Sequence, residues 1–475
     1  MKPTPQQFKK IAAQTLSNEK IQNNLLRIYD RFDLERQKAA DATPNWEHMR
    51  ERARVIKNHT IANLDYYLKQ VHTNVTNTGG KVYFAKDGAS ASKYVLDLAR
   101  KHQVKTVIKG KSMISEEMGL NRQLIDDGIE TVETDLGEYL IQLRNETPYH
   151  IIAPAIHMSK EDVSTTLHEK IGTPLYENIE ELAGAARQQL RGKFIKADMG
   201  VTGGNFIVAE SGTLVLVTNE GNGRMCTSMP KIHVAIVGME KIVPSLEDMG
   251  IFLRLLIRSA TGQRITSYVT MVDGPRRDND EDGPQEFHLV IVDNGRTKLL
   301  KDPDMREALN CIRCGACLNA CPVYRKVGGH SYGWVYSGPI GAIVSPVLTN
   351  LSDAKDLPFA SSLCGACREA CPVKINIPRM LLHLRKEVTE GTTYPGQKNV
   401  SLVEKLAMKG WRLSVSNTFT LRLSNLMGRL AQWPFVKGNR LETLPPPLSG
   451  WTRYRSFPAL SSNPFRNRWK KLKDE

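Results

Sequence analysis

Seven of the eight cysteines in this chain lie close together and fall into two spaced motifs. The motifs are Cys311-x2-Cys314-x2-Cys317-x3-Cys321-Pro322 and Cys364-x2-Cys367-x3-Cys371-Pro372. In bacterial ferredoxin-type domains, three thiolates at this spacing hold a cubane iron–sulfur cluster on a tight loop, and a fourth ligates the other cluster. The spacing therefore predicts that the chain binds [4Fe–4S] clusters and carries electrons.

Two other uses of clustered cysteines fit these motifs less well. A structural zinc site usually takes two Cys-x2-Cys pairs or a mixture of cysteine and histidine. Here a third cysteine follows at the same spacing, and a proline closes each motif. A disulfide framework is expected in secreted proteins, but the N-terminal residues lack the continuous apolar segment of a signal peptide. We therefore favour two [4Fe–4S] clusters over zinc and over disulfides.

Crossed ligation predicts which thiolates share a cluster. Cluster one is expected to bind Cys311, Cys314, Cys317 and Cys371, and cluster two is expected to bind Cys321, Cys364 and Cys367. A complete second motif would have a cysteine at position 361, where this chain has Ser361. Three interpretations stay open: Ser361 binds iron as an alkoxide, the second cluster lacks a ligand or an iron, or a distant ligand completes it. Cys226 is the one spare thiol, although a lone cysteine is more often a small buried hydrophobic residue.

Short β-branched segments alternate with amphipathic stretches through residues 71–297, which we interpret as one α/β domain. This rhythm predicts βαβ units and a largely parallel sheet. Helices are predicted over 90–102 and 112–127, and strands over Lys81–Ala85, Thr106–Lys109, Ile129–Val132, His150–Ala153, Asn205–Ala209, Gly212–Val217, Ile232–Val237 and Phe287–Val292.

Three basic residues of this domain are weaker candidates for binding an anion. Lys109 and Lys111 flank a predicted turn from a strand into a helix, and the N-terminus of a helix attracts carboxylates and phosphates. Arg224 ends a glycine-rich loop and has the forked donors that suit a carboxylate. Neither segment completes a phosphate-binding or dinucleotide-binding motif. Ordinary turns explain the same residues, so both interpretations remain open.

Three further regions surround this domain. Residues 1–70 have apolar residues at three- and four-residue steps, which predicts helices. Residues 298–385 form the predicted cluster domain, and the long interval between its motifs favours a mainly helical fold. Within that interval, Gly333–Leu351 is uncharged but interrupted by glycine and proline, so it is predicted to be a dry cover over a cluster or a docking surface. Residues 386–475 are predicted to be helical at first and then loosely patterned.

The net charge of +15 is concentrated at the C-terminus. Residues 396–475 contain 15 lysines and arginines against four acidic residues, together with four of the six tryptophans. A membrane surface, an acidic partner subunit and nucleic acid would each be attracted to such a tail. Because the rest of the chain is nearly balanced, we do not expect a nucleic-acid-binding protein. We expect a cytoplasmic chain whose tail contacts partner subunits or the inner face of the membrane, and a solvated basic tail without a partner stays open as the alternative.

The order of several sequence blocks resembles the lactate utilization protein B family. The blocks are KGKSM (109–113), ETDLGEY (133–139), TNEGN (218–222), EFHLVIVDNGR (286–296), CIRCGACLNACPVY (311–324) and SLCGACREACPV (362–373). The resemblance implies an α/β LUD domain of the sugar-isomerase and CoA-transferase type, followed by a mainly α-helical, ferredoxin-type two-cluster domain. It also implies the iron–sulfur electron-transfer subunit of a complex that oxidises L-lactate to pyruvate. The seven cysteines match the family's cluster ligands, whereas no catalytic residue of the α/β domain is implied.

Electron counting separates two hypotheses for the function. Oxidation of a hydroxyacid removes two electrons, while each cubane passes one, so a two-electron cofactor must begin the reaction. The chain has no flavin or nicotinamide motif. We therefore expect a partner dehydrogenase component to supply electrons, which this chain passes towards the respiratory chain. The alternative is that this chain is itself the hydroxyacid dehydrogenase, with substrate near Lys109, Lys111 and Arg224.

Overall fold

The computed structural model describes residues 3–110, 112–391, 400–446 and 448–473. Their contacts divide into two compact units, Met1–Lys398 and Asn399–Glu475. The first unit contains the α/β sheet and both cysteine motifs, and the second contains the basic C-terminal segment.

The chain begins with five helices that pack on the remainder of the first unit. They are α1 (Phe8–Leu16), α2 (Glu19–Ile28), α3 (Leu34–Asp41), α4 (Trp46–Ala62) and α5 (Leu64–Asn77), with a π-helical turn at Tyr29–Asp33. The longest of them, α4, buries Ala53, Ile56 and Ile61 at helical spacing. Its Arg50 donates hydrogen bonds to the carbonyl oxygen of Cys371, at 2.9 and 3.0 Å. This helix therefore ties the N-terminal region to the second cysteine motif.

Ten strands and eight helices form the α/β region. The strands are β1 (Lys81–Ala85), β2 (Thr106–Gly110), β3 (Glu130–Glu133), β4 (Met199–Thr202), β5 (Phe206–Val208), β6 (Thr213–Thr218), β7 (Ile232–Gly238), β8 (Ile242–Val243), β9 (Tyr268–Val272) and β10 (Glu286–Val292). The helices are α6 (Gly88–Lys101), α7 (Met113–Met118), α8 (Leu120–Asp126), α9 (Leu136–Leu143), α10 (Lys160–Ile171), α11 (Ile179–Lys196), α12 (Asn222–Ser228) and α13 (Leu246–Thr261).

Six of these strands form a wholly parallel sheet in the order β1-β10-β7-β4-β2-β3. Every residue of β7, at its centre, is buried. Both faces of a parallel sheet are covered by helices, which explains the near-continuous apolar sequence of its inner strands. The predicted α/β domain with a largely parallel sheet is confirmed. The remaining strands, β8-β5-β6-β9, form a smaller mixed sheet.

Two predicted elements of this region differ from the structure. The predicted strand over His150–Ala153 is wrong, because this segment is irregular. Its His150 is buried and its Nε2 lies 2.9 Å from Oδ1 of Asn319, beside the cysteine loop. The predicted helix over 112–127 is two helices, because Gly119 adopts a left-handed conformation with φ of +69°. Strand β4 (Met199–Thr202) was not indicated by the sequence pattern.

Residues 296–390 contain α14 (Arg296–Lys301), α15 (Ala316–Asn319), α16 (Tyr324–Val327), α17 (Gly338–Leu348), α18 (Ala366–Ala370) and α19 (Ile377–Glu390). Helix α17 is buried from Gly338 to Val347, and its Ile340 contacts the cavity at the first cysteine motif. Gly333–Leu351 therefore includes the buried cover predicted from its composition.

The second unit contains α20 (Leu402–Val415), α21 (Thr418–Gln432), β11 (Val436–Lys437), β12 (Arg440–Leu441), α22 (Ser449–Thr452), β13 (Phe457–Pro458) and α23 (Phe465–Lys473). The three short strands form an antiparallel sheet. Neither α20 nor α21 buries a residue. Among the described residues, no helix combines the length and the apolar character needed to cross a membrane.

Candidate iron–sulfur centre

Four cysteines from two separate segments line one small apolar cavity. Cys311, Cys314 and Cys317 come from the loop that leads into α15, and Cys371 follows α18. The other walls are apolar side chains and loop backbone, among them Ile151, Ile312, Ile340, Val373, Ile375 and Ile377. The structure thus brings together the four residues expected to hold cluster one.

Backbone amides point at the sulfurs of this first thiol group, defined as Cys311, Cys314, Cys317 and Cys371. The amide of Arg313 lies 3.4 Å from Sγ of Cys311, and the amide of Ile375 lies 3.4 Å from Sγ of Cys371. Such donors stabilise the charge on cluster sulfurs and tune the reduction potential. An apolar cavity with four thiols and inward-facing amides therefore fits a [4Fe–4S] cluster.

Burial raises the pKa of three thiols in this group. Burial is the largest cause for Cys314, Cys317 and Cys371, and neighbouring thiolates of the same group add to it. The pKa of Cys371 rises to about 11. Thiolates packed this closely repel one another unless positive charge lies between them. Iron supplies that charge, so metal binding would release the protons.

Cys321, Cys364 and Cys367 form a second thiol group. Burial and, after it, the adjacent Cys321 and Cys364 raise the pKa of Cys367 to about 12. Cys364 is exposed, whereas Cys321 and Cys367 are buried. The amide of Tyr324 lies 3.4 Å from Sγ of Cys321. The second group therefore places one cysteine at the protein surface.

The loop before Cys364 repeats the backbone of the loop before Cys314. Arg313 and Leu363 have φ of +60° and +56°, a left-handed conformation that is uncommon for residues other than glycine. The amide of Arg313 faces the Cys311 sulfur, and the amide of Leu363 donates to the Ser361 hydroxyl at 3.1 Å. The Ser361 hydroxyl thus occupies the place in its loop that the Cys311 sulfur occupies in the first. The matching loop geometry is not visible in the sequence.

Cys226 and the weaker anion-binding candidates lie elsewhere. Cys226 is buried in a core formed with α9 and α11, and its sulfur lies 3.4 Å from the Thr134 hydroxyl. Lys109 is buried, and its ammonium group pairs with Glu116 and with Glu133, the latter at 2.6 Å. Arg224 is exposed on α12. Lys111 is outside the described residues. The ammonium group of Lys109 is therefore already paired with two carboxylates, whereas Arg224 is at the surface.

A buried network of charged side chains joins the α/β region to the first cysteine loop. Arg296 donates to both carboxylate oxygens of Glu117 at 3.0 Å and to Glu240 at 2.7 Å. Arg313 lies 3.5 Å from the other oxygen of Glu240, and its guanidinium group stacks over the Tyr336 ring at 4.3 Å. The Tyr336 hydroxyl donates to Glu117 at 2.6 Å.

This network was not predicted from the sequence, although two of its members lie in segments that resemble the lactate utilization protein B family. Arg296 is the last residue of EFHLVIVDNGR, and Arg313 lies inside the first cysteine motif. Burial alone would raise the pKa of Glu240, but Arg296 and then Arg313 lower it to about 2. The network therefore holds Glu240 ionised between two guanidinium groups.

Comparisons with known proteins agree with this organisation. Family models described as LUD domain, 4Fe-4S dicluster domain, and Lactate utilisation protein B, C-terminal, match residues 68–292, 307–375 and 383–474. A crystal structure of a DUF162 family protein from Deinococcus radiodurans is 10% identical and covers 48% of this chain and 98% of its own, with a TM-score of 0.28. That score is too low to relate the two folds.

Curated relatives match over almost the full chain. Lactate utilization protein B from Bacillus cereus (strain AH820) is 49% identical over 438 residues, which cover 92% of this chain and 90% of the relative. The protein of the same name from Bacillus thuringiensis (strain Al Hakam) gives the same identity and coverage. This chain, with its LUD domain and its 4Fe-4S dicluster domain, belongs to the lactate utilization protein B family.

Proposed function

We propose that this chain is the iron–sulfur electron-transfer subunit of a system that oxidises L-lactate to pyruvate. It carries two [4Fe–4S] clusters, accepts electrons from a partner dehydrogenase component and passes them towards the respiratory chain. The observation that supports this most strongly is the single apolar cavity lined by Cys311, Cys314, Cys317 and Cys371. These residues come from both motifs, as crossed ligation requires.

Cluster one is held by the first thiol group in this proposal. Cluster two is held by Cys321, Cys364 and Cys367, with the Ser361 hydroxyl as its fourth ligand. The hydrogen bond from Leu363 to this hydroxyl supports the assignment, because the same bond in the first loop reaches the sulfur of Cys311. A serine oxygen is a harder ligand than a thiolate, so cluster two is expected to lose iron more readily than cluster one.

The exposure of the two thiol groups indicates which cluster exchanges electrons with other proteins. Cluster one would lie under α17 and beside the α/β region, whereas Cys364 of cluster two is at the surface. Electrons would therefore leave or enter the protein through cluster two. When bound, each cubane carries one electron at a time, and the chain's own residues keep water away from cluster one and donate amides to its sulfurs.

The second unit is proposed to bind the partner subunits. Apolar side chains on α20 and α21 are exposed, among them Trp411, Phe419 and Leu430. Basic residues are interspersed with them. We propose functional boundaries at about residues 70, 297 and 385. The N-terminal helices would support the LUD and cluster domains, and the last segment would bind partners.

A reconstitution assay tests this function. The clusters are rebuilt anaerobically, and L-lactate oxidation is followed with a dye acceptor in extract from cells that lack this chain. We expect no oxidation by the purified chain alone, no oxidation by the extract alone, and restored oxidation when the two are mixed. Oxidation by the purified chain alone would instead identify it as the dehydrogenase.

A further inference from the structure

A cavity of about 220 Å³ lies at the carboxyl ends of the central strands. It is bounded by Ser112 after β2, Gly203 and Gly204 after β4, and Gly238 at the end of β7. This volume is well above the roughly 10–15 Å³ that one buried water molecule needs. Open α/β sheets bind their ligands at this edge, where the strands end and the loops begin.

The cavity has a polar mouth, apolar walls and a charged inner end. The exposed Asn219 and Gln263 lie at the mouth. The apolar walls include Ile152, Val217, Ile236, Leu256 and Ile257, and the inner end includes Glu240, Arg313 and Tyr336. Two further carboxylates, Asp135 and Glu138, and the ammonium group of Lys241 also line the cavity. Apolar walls combined with convergent polar groups are typical of sites for small molecules.

Two residues line both this cavity and the one formed by the first thiol group. They are Ile151 and Arg313. The Arg313 amide faces the sulfur of Cys311, while its side chain reaches the sheet edge. Ile151 and Arg313 therefore form a wall, one residue thick, between a ligand in the larger cavity and cluster one.

The Arg313 side chain has hydrogen-bonding capacity left over. Its Nη2 lies 3.5 Å from Glu240, and its Nη1 is buried without a hydrogen-bond partner among the described residues. Stacking on Tyr336 fixes the plane of the guanidinium group. Only 12% of the side chain is exposed, so an unpaired donor here is costly.

Glu240 does not occupy all the hydrogen-bond donors of Arg313. The carboxylate of Glu240 already accepts a 2.7 Å bond from Arg296, which is shorter than its 3.5 Å contact with Arg313. A glycine is required beneath this pair, because a Cβ on Gly238 would lie 2.1 Å from Glu240 and 2.6 Å from Arg296. The sheet edge is therefore built to hold Glu240 against Arg296 and leave Arg313 facing the cavity.

We propose that this cavity binds a small carboxylate, which pairs with the guanidinium group of Arg313 next to cluster one. Charge-assisted bonds from arginine to a carboxylate are about twice as strong as neutral hydrogen bonds. The apolar walls accept the carbon skeleton, and the volume limits the ligand to a small molecule. The proposal goes beyond electron transfer, because it assigns a binding role to the LUD domain whether or not the ligand reacts there.

Calorimetric titration of the holoprotein tests the site with four probes: acetate, L-lactate, pyruvate and the neutral lactamide. At least one carboxylate is expected to bind, and lactamide is expected to bind at least about tenfold more weakly than L-lactate or not at all. Ala260, on the cavity wall, provides a steric block as Ala260→Phe. Leu246→Phe is the matched control, because Leu246 is exposed on the same helix and does not line the cavity.

We expect Ala260→Phe to weaken carboxylate binding at least about tenfold, with unchanged iron content, and Leu246→Phe to bind like the wild type. EPR of the reduced wild-type protein supplies a second readout that needs no variant: the bound carboxylate should shift the signal of one cluster only. The proposal is overturned if no carboxylate binds and none shifts the EPR signal, if lactamide binds as tightly as L-lactate, or if the two variants bind equally. In each of these cases the iron content and cluster reduction would still test electron transfer separately.

Discussion

Removal of Arg296 is expected to destabilise the first unit far more than removal of an arginine at the surface. The Arg296 side chain is only 2% exposed and compensates two buried carboxylates, Glu117 and Glu240. In Arg296→Met, a side chain of similar length but without charge leaves both carboxylates without their main cation. Breaking a buried ion pair in this way typically costs about 3–5 kcal/mol.

The corresponding shift in melting temperature follows from the size of the unit. At about 2.1 cal/mol/K per residue, a unit of about 400 residues has an unfolding entropy near 0.84 kcal/mol/K, so each kcal/mol shifts the midpoint by about 1.2 °C. Arg296→Met should therefore lower the midpoint by about 4–6 °C. The matched control is Arg100→Met. Arg100 pairs with Asp127, and its side chain is 60% exposed. A surface pair contributes about 0–1 kcal/mol, so the control should shift by about 1 °C or less.

The pH dependence gives this prediction a second readout. In the wild type, the pKa of Glu240 is lowered to about 2, so its contribution to stability is complete above about pH 4.5 and is lost as the pH falls towards 2. Without Arg296, burial should raise the pKa of Glu117, whose main cation is then absent, so the variant should lose stability as the pH rises above about 4.5. The gap in melting temperature between wild type and variant should therefore widen from pH 5 to pH 8.

Differential scanning calorimetry at one fixed scan rate measures both effects on cluster-loaded protein. Iron content is determined for each sample, so that cluster loss is not mistaken for lost ion pairing. Equal midpoints for Arg296→Met and Arg100→Met, or a gap that does not change with pH, would refute the conclusion that this network stabilises the fold.

Three further outcomes are expected for variants of the cysteines and of Ser361. Cys371→Ala should lose the EPR signal of cluster one while keeping that of cluster two, and Cys364→Ala should do the reverse; loss of the same signal in both would contradict crossed ligation. Ser361→Cys should slow the release of iron from cluster two to a chelator, whereas Ser362→Cys, at the next position, should not; equal rates would exclude position 361 as a ligand. Cys226→Ala should keep the wild-type iron content, because Cys226 is buried in a different core and burial raises its pKa to about 12. A lower iron content, measured by a colorimetric assay, would indicate that Cys226 is a cluster ligand.

The parts of the fold that were predictable depend on local patterns. Short apolar segments rich in β-branched residues, such as Ile232–Val237, favour buried strands of a parallel sheet, so β7 was evident from the sequence. The spacing of cysteines within each motif also fixes which thiols share a loop. Pairing of Cys371 with the first loop was expected from ferredoxin-type chemistry, and the structure brings these residues to one cavity.

The parts that were not predictable depend on distant contacts. The apolar segment at His150–Ala153 resembles a strand, but its hydrogen bonds go to Asn319 and to its own loop. Glu240 and Arg313 meet although they belong to different domains and have no shared periodicity. The hydroxyl position of Ser361 depends on the left-handed backbone at Leu363. A leucine does not indicate such a conformation in the sequence.

The most direct test of the proposed electron-transfer role follows the visible absorbance of the clusters when L-lactate is the only electron source. Cluster-loaded protein is mixed anaerobically with extract from cells that lack this chain, and L-lactate is then added. We predict that the absorbance bleaches in the complete mixture, and that neither D-lactate nor omission of the extract produces bleaching. Clusters that dithionite reduces but that L-lactate never bleaches in the complete mixture would contradict the proposed role in lactate oxidation.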